Sequence, residues 1–245
     1  SLLSTLAALM LPAGMGAETL FTCGDSTMAD YATDGSTPTR GWGQYFGAFF
    51  SPDITVINRG KGGMDVQGFY YGDAYWPAIK KILKPGDYVL LQFAHNDEKN
   101  GGMDGRQLRD YYLGIGDTQA AASVDIRGSI PHDTYAATLR TLVAEIRALG
   151  ATPILASSIC RMNFTADGDI RRAARHDLGD NFEVLTPQGP TKGNSVPADD
   201  HSMDFRRQME MVADDLDVDF IDLTEATREL FTSYGQAKTA EIISD

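Results

Sequence analysis

Five apolar runs, at residues 19–23, 54–58, 88–93, 153–157 and 218–223, constrain the fold of this chain more than any other feature. Each is short and apolar through most of its length, as a strand buried on both faces must be. Helical patterns lie between them. Tyr135, Leu139, Leu142, Val143 and Ile146 recur at helical spacing, with Gly150 as a stop signal. Phe205, Met209, Val212 and Leu216 form a second stripe. A third helix is expected from near Thr224 to about Tyr234, because residues 224–230 are strong helix formers. Strand, crossover and strand repeated in this way predict a parallel sheet with helices on both faces. A length of 245 residues suits one such domain, and 42% apolar residues can supply its core.

Charge narrows the partners. The formal net charge is −13, and clustered Lys and Arg, which a nucleic-acid backbone requires, are missing. The first 17 residues differ from the rest: an apolar stretch from Leu2 to Leu11 is followed by the small residues Ala13, Gly14, Gly16 and Ala17. This fits the apolar core and cleavage region of a secretory signal, and it is too short to span a bilayer. A secreted or periplasmic protein is expected, with residues 1–17 a partial signal. The two cysteines, Cys23 and Cys160, stand at or just past strand ends. If those strands are not neighbours, the Cα separation exceeds the ~7 Å reach of a disulfide. Two buried thiols are the expectation, and no CxxC pair suggests a metal site.

Three segments at strand ends carry the chemistry. Gly24-Asp25-Ser26-Thr27 follows the first strand. A small polar turn there can lift the Ser26 hydroxyl into a cleft at a helix N-terminus, where developing negative charge is supported. Ser26 or Thr27 as a plain helix N-cap is the competing reading. Asn58-Arg59-Gly60-Lys61-Gly62-Gly63 follows the second strand, and its glycines let backbone N–H groups approach a ligand. A dinucleotide loop is disfavoured, because that fingerprint belongs after the first strand and opens a helix. Gln92-Phe93-Ala94-His95-Asn96-Asp97 closes the third strand, where an amide can donate to an oxyanion or simply form a turn. Tyr70, Tyr71, Tyr75 and Trp76 could stack on sugar rings or pack in the core. The run Asp214–Asp219 lacks calcium-loop spacing and reads as a solvated helix end.

Together, in this order and spacing, the three segments resemble those of the SGNH (GDSL-like) hydrolases, most closely the rhamnogalacturonan acetylesterase branch. Thr152-Pro153-Ile154-Leu155 and Phe220-Ile221-Asp222-Leu223 are similar to that branch as well, so the likeness spans residues 18–245. The resemblance implies a flavodoxin-like α/β/α sandwich on a five-stranded parallel sheet. It also implies Ser26 as nucleophile and an oxyanion hole built from the N–H of Ser26, the N–H of Gly63 and the side chain of Asn96. Asp25 would be structural. No metal or organic cofactor is implied, and the partner would be an acetylated plant cell-wall polysaccharide. Ala94 departs from the family's usual glycine. The family's Asp-x-x-His motif after the fifth strand and its helix is not found among residues 18–245. Neither His95, His132, His176 nor His201 has its spacing, so the expectation is that the pair lies beyond Asp245. A non-catalytic carbohydrate-binding protein on the same scaffold is the alternative.

Overall fold

A computed structural model describes residues 18–98, 128–162, 164–170, 184–186, 189–191 and 204–243. The expected leader (1–17) and residues 99–127, 171–183 and 192–203, with them His176 and His201, lie outside the described residues.

Five parallel strands form one sheet: β1 (Glu18–Gly24), β2 (Ile54–Asn58), β3 (Tyr88–Gln92), β4 (Thr152–Ala156) and, after a separate hairpin, β7 (Asp219–Ile221). Their order is β2-β1-β3-β4-β7, the flavodoxin-like arrangement. The hairpin pairs β5 (Val184–Thr186) with β6 (Gly189–Thr191) in antiparallel fashion. In register, Gly24 pairs with Gln92 and Gln92 with Ala156, so the central strands end level. That level edge is where the three motif loops leave the sheet.

Alternation along the strands sorts the core into two faces. Phe21, Cys23, Val89, Leu91 and Leu155 join the larger core under α2 (Val66–Tyr71), α3 (Trp76–Lys80), α4 (Ala136–Ala148) and α5 (Phe205–Leu216). The predicted stripe of α4 is realised: Leu139, Leu142, Val143 and Ile146 are all buried, each contributing about 1.5–3 kcal/mol relative to exposure. Tyr135 packs edge-on against Phe205 at 4.8 Å and donates its hydroxyl to Phe93 O at 2.8 Å. The side chain of Asp204 caps α5 by accepting from Arg207 N.

The second face carries Leu20, Tyr88, Leu90, Ile154 and Ala156. Its cover is thinner: one-turn α1 (Gly43–Phe46), a 3₁₀ turn (Gly47–Phe49) and the start of α6 (Leu223–Thr239). The last strand is shorter than the run 218–223, because Asp222 turns to cap α6, accepting from Glu225 N at 3.1 Å. Helix α6 passes the expected stop near Tyr234, with a break at Gly235.

Candidate active site

The turn after β1 is wound on a buried carboxylate. Met28 N and Ala29 N both donate to Asp25 O, closing one helical turn. Asp25 is fully buried; its Oδ1 accepts from Thr27 N at 2.9 Å and lies 2.7 Å from the Thr27 hydroxyl. Its Oδ2 accepts from Gln92 Nε2 at 3.3 Å, and Gln92 Oε1 accepts from Trp42 Nε1 at 3.1 Å. Ser26 rides on this turn, half-buried, with its carbonyl accepting the Tyr31 hydroxyl at 2.9 Å. The expected helix N-terminus at Ser26 is not there. The turn is not propagated, because residues 30–41 hold Thr, Gly, Pro, Ser and Asp, which favour turns over helix. No helix dipole is therefore aimed at Ser26, and the N–H groups of Thr27, Met28 and Ala29 are taken up by Asp25.

The loop after β2 is laced to the end of β1. Arg59 N donates to Thr22 O at 2.7 Å and Lys61 N to Gly24 O at 2.9 Å. Asn58 ties both strands to the Ser26 turn: Oδ1 accepts from the Thr22 hydroxyl and Gly60 N, and Nδ2 donates to Met28 O and Asp30 Oδ1. Gly60 serves close approach to the chain itself, since a Cβ there would sit 2.8 Å from Ala29 N. Gly63 has φ +77°, a left-handed conformation that costs other residues about 1–2 kcal/mol. Asp65 then caps α2 through Gly68 N at 2.7 Å.

Asn96 and His95 leave β3 in different directions. The Asn96 side chain donates from Nδ2 to Met64 O at 3.0 Å, joining it to the residue after Gly63. The His95 Nε2 lies 2.8 Å from Ile159 O, beyond β4. Strand alternation is not the reason, because β3 ends at Gln92; the turn that follows decides it. Arg161 pairs with Glu98 and donates to His95 O, fixing that side of the loop.

Ser26, Gly63 and Asn96 thus sit on loops at the same end of three adjacent strands, β1, β2 and β3. Ser26 also borders a cavity of about 1140 Å³ that runs along the second face past Tyr31, Trp42, Leu90 and Ile154; neither Gly63 nor Asn96 lines it. His132 is exposed at the turn before α4. Trp76 is fully buried and donates to Glu145, as does Tyr70, so these aromatics pack the fold instead of forming a sugar platform. Asp214 and Asp215 are exposed at the end of α5, as a solvated helix end should be. Cys23 and Cys160 are both buried without a disulfide, with β3 standing between their strands. Among the described residues no cluster of His, Cys, Asp and Glu could hold a metal ion. Sequence reasoning missed Asn58, Gln92, Tyr31 and Trp42 as builders of this edge. The glutamine closing an otherwise apolar β3 was the available signal.

Residues 22–240 match the profile of the GDSL-like Lipase/Acylhydrolase family. The chain belongs to that family. Among GDSL-like relatives, the rhamnogalacturonan acetylesterase RhgT of Bacillus subtilis strain 168 is 28% identical over 223 residues, 91% of this chain and 72% of that protein. The probable rhamnogalacturonan acetylesterase YesY of the same strain is 26% identical over 219 residues, 89% of this chain and 76% of that protein. The crystal structure of the Bacillus subtilis YxiM protein shares the fold, with a TM-score of 0.61 at 22% identity. That match covers 93% of this chain and 49% of the YxiM chain, so this chain spans about half of it. The five-stranded parallel sandwich that the resemblance to GDSL-like hydrolases implied is therefore the observed fold.

Proposed function

We propose that the chain is a serine esterase that removes acetyl groups from a plant cell-wall polysaccharide of the rhamnogalacturonan or pectin type. Ser26 attacks the acetyl carbonyl, and the tetrahedral oxyanion is held by Ser26 N–H, Gly63 N–H and the Asn96 amide. Each such donor is typically worth about 3–4 kcal/mol in the transition state. The observation that carries this reading is the Asn96 Nδ2 to Met64 O bond, which ties the amide loop to the Gly63 loop beside the strand that carries Ser26. The names of RhgT and YesY support the acetylated substrate class. The reading assigns the general base to an Asp–His pair outside the described residues, and it places the enzyme outside the cytoplasm.

The test is acetate release from acetylated rhamnogalacturonan, with acetylated xylan as comparison, for the parent and Ser26→Ala. Loss of a triad member leaves roughly 10³–10⁴-fold over water, so the variant should fall to that residue of activity. A Ser26→Ala protein that releases acetate at the parental rate would overturn the proposal. Polymer binding without any acetate release would favour the carbohydrate-binding alternative.

A further inference from the structure

Asn96 and the residue after it reach the same loop. Asn96 Nδ2 donates to Met64 O at 3.0 Å, and Asp97 Oδ1 accepts from Val66 N at 3.1 Å. The two bonds are rungs between the loop after β3 and the loop after β2, and Gly63 lies immediately before the first. Asp97 also binds a third segment: Oδ1 accepts the Ser129 hydroxyl at 2.8 Å, and its backbone oxygen accepts from Ser129 N at 2.9 Å. Asp65 reinforces the joint by accepting from Gly128 N at 2.9 Å while capping α2. Asp97 is fully buried, and its Oδ2 has no hydrogen-bond partner among the described residues.

We propose that Asp97 is a positioning residue, a buried strut that fixes the Gly63 N–H relative to the Asn96 amide so that both donors meet one oxyanion. This rests on the assignment of Ser26, Gly63 and Asn96 given above. A carboxylate with one oxygen unpaired in a dry site is costly, whereas a neutral carboxyl is much less so. Burial first, then the nearby Asp65, raise the Asp97 carboxyl well above the usual carboxylate range; Asp25 acts in the same sense. The Ser129 hydroxyl and Val66 N–H pull the other way and are outweighed. Another titratable neighbour is Tyr135, whose own hydroxyl is pushed up by burial and by Asp97, Asp25 and Asp204. In the neutral form, which burial favours, Asp97 keeps Oδ1 as a carbonyl-like acceptor for Val66 and Ser129. Asparagine offers the same acceptor with an amide in place of the acid O–H; alanine offers neither.

The experiment compares Asp97→Asn and Asp97→Ala in the full chain by amide hydrogen exchange over residues 60–69 and by kcat and KM on 4-nitrophenyl acetate. In Asp97→Ala, exchange at Val66 should speed up about tenfold or more, and kcat should drop about 10- to 100-fold with KM little changed. Asp97→Asn should rescue both to within about threefold of the parent. A strut that only held the fold together would lower thermal stability without this split between kcat and KM. If Asp97→Ala does not fold, Ser129→Ala tests the same joint and should lower kcat about threefold. Parental exchange and kcat in a folded alanine variant, or an asparagine variant as damaged as alanine, sinks the strut alone. A parent chain without esterase activity sinks the Ser26 assignment, and the positioning role goes with it.

Discussion

Tyr31 donates its phenolic proton to the carbonyl oxygen of Ser26 at 2.9 Å, across a loop of five residues. The bond pins the backbone of the proposed nucleophile, in addition to the bonds that the buried Asp25 carboxylate makes to the same turn. Two independent restraints therefore act on a turn that no helix stabilises. A residue held this way reacts from one geometry, which is the source of much of the advantage of an enzyme over a free hydroxyl.

Removing that proton should loosen Ser26 with little effect on the fold. Tyr31→Phe keeps the ring and deletes one partly exposed hydrogen bond, so stability should fall by about 1 kcal/mol or less. The kcat for acetyl esters should fall about three- to tenfold, with KM nearly constant. Urea denaturation and steady-state kinetics on the same preparation separate the two effects. Burial and the nearby Asp25 charge raise the Tyr31 phenol above its usual range, against the opposing Ser26 hydrogen bond. Its contribution to stability is thus fully present below about pH 10, where an unfolded tyrosine titrates, and fades as pH rises through the folded value.

Acid should find a different weak point. Glu145 on α4 accepts from Trp76 Nε1 at 2.6 Å, Lys80 Nζ at 2.9 Å and Tyr70 Oη at 2.9 Å, and so ties α2 and α3 to α4. Burial pushes its carboxyl up, but the bonds from Trp76, Lys80 and Tyr70 outweigh it and hold the group below its usual value. A folded value below the unfolded one means the stabilisation is present above about pH 4.3 and is lost as pH falls through the folded value. Thermal melts from pH 7 to pH 3 should show that loss in the parent. Glu145→Gln should start less stable and show a shallower acid slope; an unchanged slope would count against the tether.

The cysteines should be silent in the native state. Burial raises the Cys23 thiol well above its usual range, against a small opposing effect of Arg59, and Cys160 is equally enclosed. A thiol kept protonated and covered does not attack disulfide reagents. Aromatic disulfide titration of the native protein should therefore count close to zero thiols. After denaturation under non-reducing conditions it should count both, and a count of zero there would reveal a bridge.

The sequence alone determined the sheet. Short apolar runs bounded by turn residues read as strands, so 19–23, 54–58, 88–93, 153–157 and 218–223 became parallel strands, buried in the middle of the sheet but only half-buried at its edges, β2 and β7, and the stripe of Leu139, Leu142 and Ile146 became the helix that covers them. It also marked the three loops that hold Ser26, Gly63 and Asn96, because small and polar residues at strand ends are a local signal; the individual roles proposed for the three come from the family resemblance. What surrounds them was not local. The helix expected at Ser26 gave way to a single turn wound on Asp25, which Gln92 holds from 67 residues away in sequence and Tyr31 clasps at the Ser26 carbonyl. Trp76 could bury its ring because Glu145, far along the chain, offered its indole N–H a half-buried acceptor. Periodicity reports which face of an element is dry. Which distant polar group completes each buried hydrogen bond is decided only when the loops meet, and in this chain that meeting built the site.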